Sequence, residues 1–269
     1  MKANSIYAHY AHGLRPPLKW AGGKRWLVPY LKRLWEPYRS YRLVEPFCGG
    51  LAVALGLMPP EALLNDINEH LTNFLKWIQK GLYIEMPLKN NENFYYLCRN
   101  RFNKLIKNGQ AHTRLAAEIF YYLNRTGYNG LCRFNQSGEF NVPFGSYKKI
   151  NYVRDYRRYR KDFEKWEFTC GDFEQLILEK GDFIYADPPY DVDFTQYSRK
   201  QFCWDDQVRL ANWLAGHPGP VALSNQATGR IINLYQELGF HLIFLKAPRM
   251  ISCTGNRTPA REVLALKGL

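Results

Sequence analysis

The 269-residue chain has no stretch approaching the roughly 20 consecutive apolar residues of a membrane-spanning helix. Its start, Met1-Lys2-Ala3-Asn4, lacks the apolar run of a secretory signal. A cytoplasmic protein is expected. The six cysteines, Cys48, Cys98, Cys132, Cys170, Cys203 and Cys253, include no close pair of the spacing that zinc sites or redox motifs use. Reduced thiols and no metal are therefore expected. The sequence has neither the three spaced glycines of a dinucleotide fingerprint nor a Gly-Lys-Ser/Thr loop, which argues against NAD and against ATP. Acidic residues are also few: 24 Asp and Glu stand against 37 Lys and Arg, a formal net charge of +13. Such an excess attracts and steers polyanions, so nucleic acid becomes the leading partner class. Aromatic side chains, in contrast, are plentiful, at 16% of residues with 19 Tyr and 7 Trp. Their flat faces can receive an unstacked base. Composition alone does not separate a binder from an enzyme.

Along the chain, residues 1–13, with His9, Tyr10 and His12, show no apolar periodicity and read as a loose leader that ends at Arg15-Pro16-Pro17. Lys19-Trp20-Ala21-Gly22-Gly23-Lys24 forms a turn before a helix-patterned stretch from Trp26 to Trp35. Tyr41 to Pro46 reads as a short buried strand, followed by the turn Phe47-Cys48-Gly49-Gly50 and an apolar helical run from Leu51 to Leu57 that Pro59-Pro60 ends. Leu63 to Asp66 gives a second strand, and a helix is expected from about Asn68 to Gln79. From about 81 to 153 the strand signals vanish: polar helices (Phe94 to Lys107, Arg114 to Leu123) precede a segment dense in Gly, Asn, Arg and Tyr. Strands return at Trp166 to Cys170, Phe183 to Ala186 and Val221 to Ser224, each with a helix-like segment after it, and at a closing strand Glu262 to Leu266. The fold class expected is α/β: a Rossmann-like, doubly wound, mostly parallel sheet with an inserted helical and hairpin lobe that recognises DNA. Residues 1–68 and 154–269 are assigned to the catalytic domain and 69–153 to target recognition.

Asp187-Pro188-Pro189-Tyr190 follows the strand Phe183 to Ala186, at the carboxyl end where open α/β sheets bind ligands. The lone pair of an exocyclic amine on a base is delocalised into the ring. A carboxylate and a proline-stiffened carbonyl accepting its two N–H groups favour a more localised lone pair that can attack an electrophilic methyl group. Tyr190 can stack on a base flipped out of the helix. The plain alternative is a strand-to-loop turn with a surface tyrosine. The glycines after Val44-Glu45-Pro46-Phe47 let the backbone approach a ligand, Glu45 can hold an amino group and Asp66 can accept from ribose hydroxyls; otherwise the Gly-Gly pair is a helix-capping turn. Lys19 and Lys24 flank the flat Trp20, although a solvated surface lysine is the ordinary reading of each.

Residues 124–149 alternate turn formers with aromatics. Asn129-Gly130 and Ser137-Gly138 read as tight hairpin turns that can present side chains into a DNA groove. Arg133 is then free for guanine O6 and N7, Leu131 for a thymine methyl, Asn135 for a base or phosphate, and Lys148 and Lys149 for phosphates. Phe194, Tyr197, Ser198, Arg199 and Lys200, and the late basic loop Arg249-Met250-Ile251-Ser252 with Asn256-Arg257, are assigned to a DNA-ordered loop and to phosphate contact.

Taken in order, Lys19 to Lys24, Glu45-Pro46-Phe47, Asp66-Ile67-Asn68, Tyr128 to Arg133, Phe140 to Gly145 and Asp187 to Tyr190 resemble the Dam family of DNA adenine methyltransferases. The match runs from about Leu18 to the last strand, with the motif order of the alpha group. The resemblance implies methyl transfer from S-adenosylmethionine to adenine N6 in double-stranded DNA, with S-adenosylhomocysteine as product and no metal. It implies cofactor contacts at Trp20, Lys24, Asp66 and Asp187, with Phe47 and the Asp172-Phe173 turn near the cofactor's adenine. It further implies recognition of GATC, with Lys19 reading the first guanine and Leu131, Arg133, Pro143 and Tyr147 reading later base pairs; Asn129 belongs to the same block. Ser146 stands where close relatives often carry Arg, so a phosphate contact is in doubt. A monomer associated with the nucleoid through DNA is expected, and a cognate restriction enzyme is an open partner. Two other readings stay open: methylation of cytosine N4, RNA or a protein side chain, and a catalytically silent DNA-binding protein.

Overall fold

The computed structural model describes residues 14–191, 202–248 and 260–269. The leader 1–13 and the segments holding Phe194 to Lys200 and Arg249 to Arg257 lie outside the described residues. Helix α1 spans Val28–Trp35, strand β1 Leu43–Glu45, α2 Ala54–Leu57, β2 Ala62–Asp66 and α3 Glu69–Gln79. The insertion contributes α4, Glu92–Lys107, and α5, Arg114–Thr126. Then follow β3 Trp166–Cys170, β4 Phe183–Ala186, α6 Trp204–Ala215, β5 Val221–Gln226, α7 Gly229–Glu237, β6 His241–Ala247 and β7 Ala260–Lys267.

The helices that flank the site begin where side chains can satisfy their first N–H groups. Asn68 Oδ1 accepts from His70 and Leu71 N–H at 3.1 Å each, Asn91 accepts from Phe94 N–H at 2.9 Å, and Thr113 accepts from Ala116 N–H at 3.2 Å. Among the described residues the strands form one seven-stranded sheet of order β3-β2-β1-β4-β5-β7-β6. The first five run parallel, and β7 enters antiparallel between β5 and β6. β1 and β4 are buried at every position, as central parallel strands covered on both faces must be. The chain winds outward from β1 through β2 to β3 and then returns to lay β4 against the other side of β1. Such a reversal opens a crevice at the carboxyl ends of β1 and β4.

One core cluster joins α1, the near face of the sheet and the insertion, including Leu43, Leu64, Phe74, Phe102, Phe120 and Tyr121. A second, on the other face, gathers Val44, Ile184, Leu210, Leu214, Ile231 and Tyr235 beneath α6 and α7. Helix α3 packs on β2 and β3 and also on α5, so it serves the sheet and the insertion together.

Four local expectations change. The run from Leu51 to Leu57 is helical only from Ala54, because Leu51 takes φ 62° in the turn before it. Asn129-Gly130 makes a 3-10 turn that leaves α5 rather than a hairpin, with both residues at positive φ. β3 is followed by a single 3-10 turn, Phe173–Gln175, in place of a helix. Strand β6, unassigned from the sequence, pairs along its length with β7.

Candidate active site

The crevice is built from neighbouring strands, β2, β1, β4, β5 and β7. Asp187 leaves β4, and Oδ1 of its carboxylate accepts the Ser224 hydroxyl from β5 at 2.8 Å and lies 3.0 Å from the Lys24 ammonium. Lys24 is 4% exposed, donates to the Gly22 carbonyl at 3.2 Å, and stands 4.6 Å from the centroid of the Tyr190 ring. Glu262, which the sequence reading passed over as part of a closing strand, comes into the same pocket 3.9 Å from Lys24. Its placement follows from register, since β7 puts Glu262 opposite Gln226 at the end of β5. Glu45, from the end of β1, is 2% exposed. One ammonium thus serves the Asp187 and Glu262 carboxylates, with Glu45 near enough to feel Asp187. Burial pushes the carboxyl groups of Glu45 and Glu262 up, and the Asp187 charge adds to both. Burial, with the Asp187 and Glu262 charges, pushes the Tyr190 hydroxyl far up as well. In this pocket Glu45 Oε1, Glu262 Oε2 and the Tyr190 hydroxyl make no hydrogen bond of ordinary geometry among the described residues.

Asp66 closes the other side. Its Oδ2 accepts the Gly49 N–H at 3.1 Å and its Oδ1 the Asn68 N–H at 2.9 Å; burial raises its pKa and these two bonds act against the rise. A carboxylate offers about four acceptor positions, so two remain for a ligand. The turn glycines admit the Trp20 ring: a Cβ on Gly49 would fall 2.8 Å from Trp20 Nε1, and one on Gly50 2.9 Å from Trp20 Cβ. The sequence had them meeting a ligand; the structure shows them meeting Trp20. Phe47 and Phe173 stand 5.8 Å apart, and Phe202, another residue the sequence reading missed, packs edge-on to Phe47 at 5.5 Å. Together they make an apolar wall. Asp172 has both oxygens bound to Arg209, at 2.9 and 2.8 Å, and Oδ1 also accepts the Glu174 N–H at 3.0 Å, so most of its acceptor positions are taken within the protein.

The recognition candidates divide. Lys19 lies against the Gly130 backbone, where a Cβ would sit 2.3 Å from its own. Its ammonium donates to Arg125 O at 3.2 Å and stands 3.8 Å from the centroid of the Tyr147 ring, while Tyr147 OH donates to Gly127 O at 3.0 Å. Burial and the nearby Arg125 charge lower the Lys19 pKa to about 8. Asn124, 1% exposed, ties this corner together: it accepts Lys19 N–H at 2.9 Å and donates to Lys19 O at 2.8 Å and Gly130 O at 3.1 Å. Tyr128, Asn129, Arg133, Asn135, Pro143 and Lys148 are exposed, and Leu131 is half-buried. Arg133 is not free: its Nε donates to Asn141 Oδ1 at 2.7 Å. Asn135 shapes its own hairpin, accepting Ser137 and Glu139 N–H at 3.0 and 2.9 Å and donating to the Glu139 carboxylate at 3.2 Å. Arg249 and Ser252 lie outside the described residues. Among the described residues no group of three or more His, Cys, Asp or Glu is placed to hold a metal, and no helix is long and apolar enough to cross a membrane.

Residues 20–251 match the family model for D12 class N6 adenine-specific DNA methyltransferase. The chain is 36% identical over 267 residues to the "Retron Ec67 DNA adenine methylase" of Escherichia coli, covering 93% of this chain and 90% of that one. It is 35% identical over 269 residues to the "DNA adenine methylase" of Escherichia coli strain K12, covering 93% and 94%. To the "Type II methyltransferase M.MjaIII" of Methanocaldococcus jannaschii it is 33% identical over 278 residues, covering 91% and 95%.

Proposed function

The chain belongs to the D12 class of N6 adenine-specific DNA methyltransferases, and from that premise we propose that it moves a methyl group from S-adenosylmethionine to the N6 amine of an adenine flipped out of double-stranded DNA, within GATC. The observation that carries the reading is the placement of Asp187: at the crevice of the sheet, fixed between Lys24 and Ser224. S-adenosylmethionine, when bound, supplies a sulfonium-activated methyl group.

The residues present suit that cofactor. It is a cation at its sulfur and at its amino group, and among the described residues the crevice sets three carboxyl groups, Glu45, Asp187 and Glu262, around the one ammonium of Lys24, with Glu45 Oε1 making no hydrogen bond. Burial raises the pKa of Glu45 and Glu262, and a cationic guest offsets that rise by supplying the charge that favours their ionised forms. Glu45 would hold the amino group, Asp66 the ribose hydroxyls, and Phe47 and Phe173 the adenine ring. Trp20 fixes the Gly49-Gly50 turn, and Lys24 holds Asp187 in place.

Toward the substrate, the Asp187 carboxylate and the Pro188 carbonyl accept the two N6 hydrogens and leave the lone pair directed outward. Tyr190 offers its ring to the flipped base. Asp187 also stands where the proton released after transfer can be taken up. Lys19 and the exposed face of Tyr128, Asn129, Leu131, Arg133 and Pro143 meet the duplex, which Lys148 helps hold through phosphate. We assign the chain to the cytoplasm, acting as a monomer on the nucleoid.

Incubation of an unmethylated plasmid with the protein and tritiated cofactor, followed by mapping of modified bases, tests this. N6-methyladenine confined to GATC is the expected result. Label in cytosine, or in RNA alone, overturns the reading.

Lys19 supplies a pH signature. Its charged form predominates in the free protein only below about pH 8, and duplex acceptors favour that charged form. Binding therefore takes up a proton above that pH, and affinity for the cognate duplex should fall, by up to about tenfold per pH unit, between roughly pH 8 and 10. Fluorescence anisotropy across that range should show the fall in the wild type and not in Lys19→Met; identical profiles would remove Lys19 from the interface.

A further inference from the structure

Consecutive prolines at 188 and 189 leave the turn after β4 without N–H donors at two positions, so it cannot fix its shape through the backbone bonds a tight turn ordinarily makes. The shape is set from behind. Gln207, in the first turn of α6 and 1% exposed, donates from Nε2 to the Pro189 carbonyl at 2.8 Å. Gln207 Oε1 accepts from Asn225 Nδ2 at 2.9 Å, and the same Nδ2 donates to Tyr235 OH at 3.0 Å. Asn225 is fully buried on β5, and its Oδ1 accepts the N–H of Gln226 at 2.8 Å and, at the limit of 3.5 Å, that of Asp191. Asp191 is held by both carboxylate oxygens to Arg230 and accepts the Thr228 hydroxyl at 3.1 Å. Ser224 and Asn225 are consecutive on one strand and therefore project to opposite faces. The first secures the Asp187 side chain, and the second steadies the amide that secures the backbone two residues on.

We propose that Gln207 is a positioning residue for methyl transfer: by anchoring the Pro189 carbonyl it sets the direction in which the Pro188 carbonyl and the Tyr190 ring meet the amine. The Pro189 ring fixes its own φ, so holding the carbonyl on one side of it leaves the Pro188 carbonyl on the other side little freedom. This rests on the methyl-transfer reading of the turn. It differs from a packing role because the anchored atom lies next to the acceptor that the chemistry needs, and displacements of about an ångström there cost rate rather than binding.

Two variants test it. Gln207→Met keeps the length and removes the donor; Gln207→Glu keeps the shape and donates only when protonated. Single-turnover transfer at saturating DNA and cofactor, normalised to sites that bind S-adenosylhomocysteine, should fall about 30-fold in both at about pH 8. DNA and S-adenosylhomocysteine affinities should stay within about threefold. Lowering the pH to about 6 should restore Gln207→Glu at least about tenfold relative to Gln207→Met, because burial raises the pKa of the introduced acid and the protonated acid restores the bond. Asp191, Arg230 and Tyr235 carry the other charges and titratable groups of this network, and both variants share them, so the comparison cancels their effect. Wild-type rates at saturation, a loss confined to binding, or no recovery of Gln207→Glu at low pH would each overturn the proposal. If Gln207→Met does not fold, the recovery of Gln207→Glu against its own rate at pH 8 decides. A wild-type chain that labels no nucleic acid overturns instead the methyl-transfer reading beneath it.

Discussion

Asp187→Ala is expected to lower the single-turnover rate of methyl transfer by about a thousandfold, with the fold intact. The size follows from the role. A preorganised group facing charge that develops during reaction is worth about 10²–10³ in rate, and the Asp187 carboxylate is preorganised by the Ser224 hydroxyl at 2.8 Å and the Lys24 ammonium at 3.0 Å. The amine would keep only the Pro188 carbonyl as acceptor, and its lone pair would stay delocalised in the ring. The fold should survive because each partner has another: Lys24 has Glu262 and the Gly22 carbonyl, and Ser224 has the Tyr185 hydroxyl at 3.1 Å. Asp187→Asn, which keeps one acceptor oxygen, should fall between the two. Rapid-quench measurement at saturating DNA and cofactor provides the check, and an unchanged rate would sink the displacement mechanism.

Lys24→Met is expected to be nearly as damaging to activity, by at least about a hundredfold, and unlike Asp187→Ala it should also destabilise the fold. Removing one partner from a buried charge cluster ordinarily costs about 3–5 kcal/mol. Here Glu262 can relieve part of that by taking up a proton, since burial already raises its pKa. The sign of the pH dependence follows. With its folded-state pKa above the ordinary value of 4.5, Glu262 holds, between those two values, a proton that the unfolded chain has released. Stability is therefore lost as pH rises from about 4.5 through the folded-state value, and losing Lys24 raises that value further. The melting-temperature deficit of Lys24→Met should be small near pH 5 and widen toward pH 8. A deficit that does not change with pH would show that Lys24 acts through packing alone.

The parts of the sheet with strong local patterns were legible in the sequence. β1, β2, β3, β4 and β5 each follow a short apolar run bounded by turn formers, and Asp187 and Glu45 could be placed at strand ends from those runs alone. β6 escaped notice because an edge strand is half-exposed and its sequence, His241 to Ala247, lacks a clean alternation. Glu262 escaped for a related reason: only the antiparallel register of β7 brings it to Lys24. The Asn129-Gly130 pair was read as a hairpin turn because it suits positive φ, and the structure uses that same positive φ to leave a helix. Arg133, Asn135 and Asp172 show a further limit. Residue type singled out Arg133 and Asn135, and the resemblance Asp172, whereas their partners within the protein, Asn141, Glu139 and Arg209, are set by tertiary structure.

The shared core described for the sheet and the insertion also bears on how a new target sequence could arise. Because α3 lends one side to β3 and another to α5, the insertion is not a detachable cassette: exchanging it whole for that of a relative would replace part of a continuous interior. Change is least constrained at the solvent-facing tips Tyr128 and Pro143, where an exposed side chain can be altered without disturbing a buried neighbour. Lys19 is less free, since Gly130, Tyr147 and Asn124 enclose it. On the proposed reading, the base pair that Lys19 meets should be the last to change along an evolving lineage, and those under the tips the first.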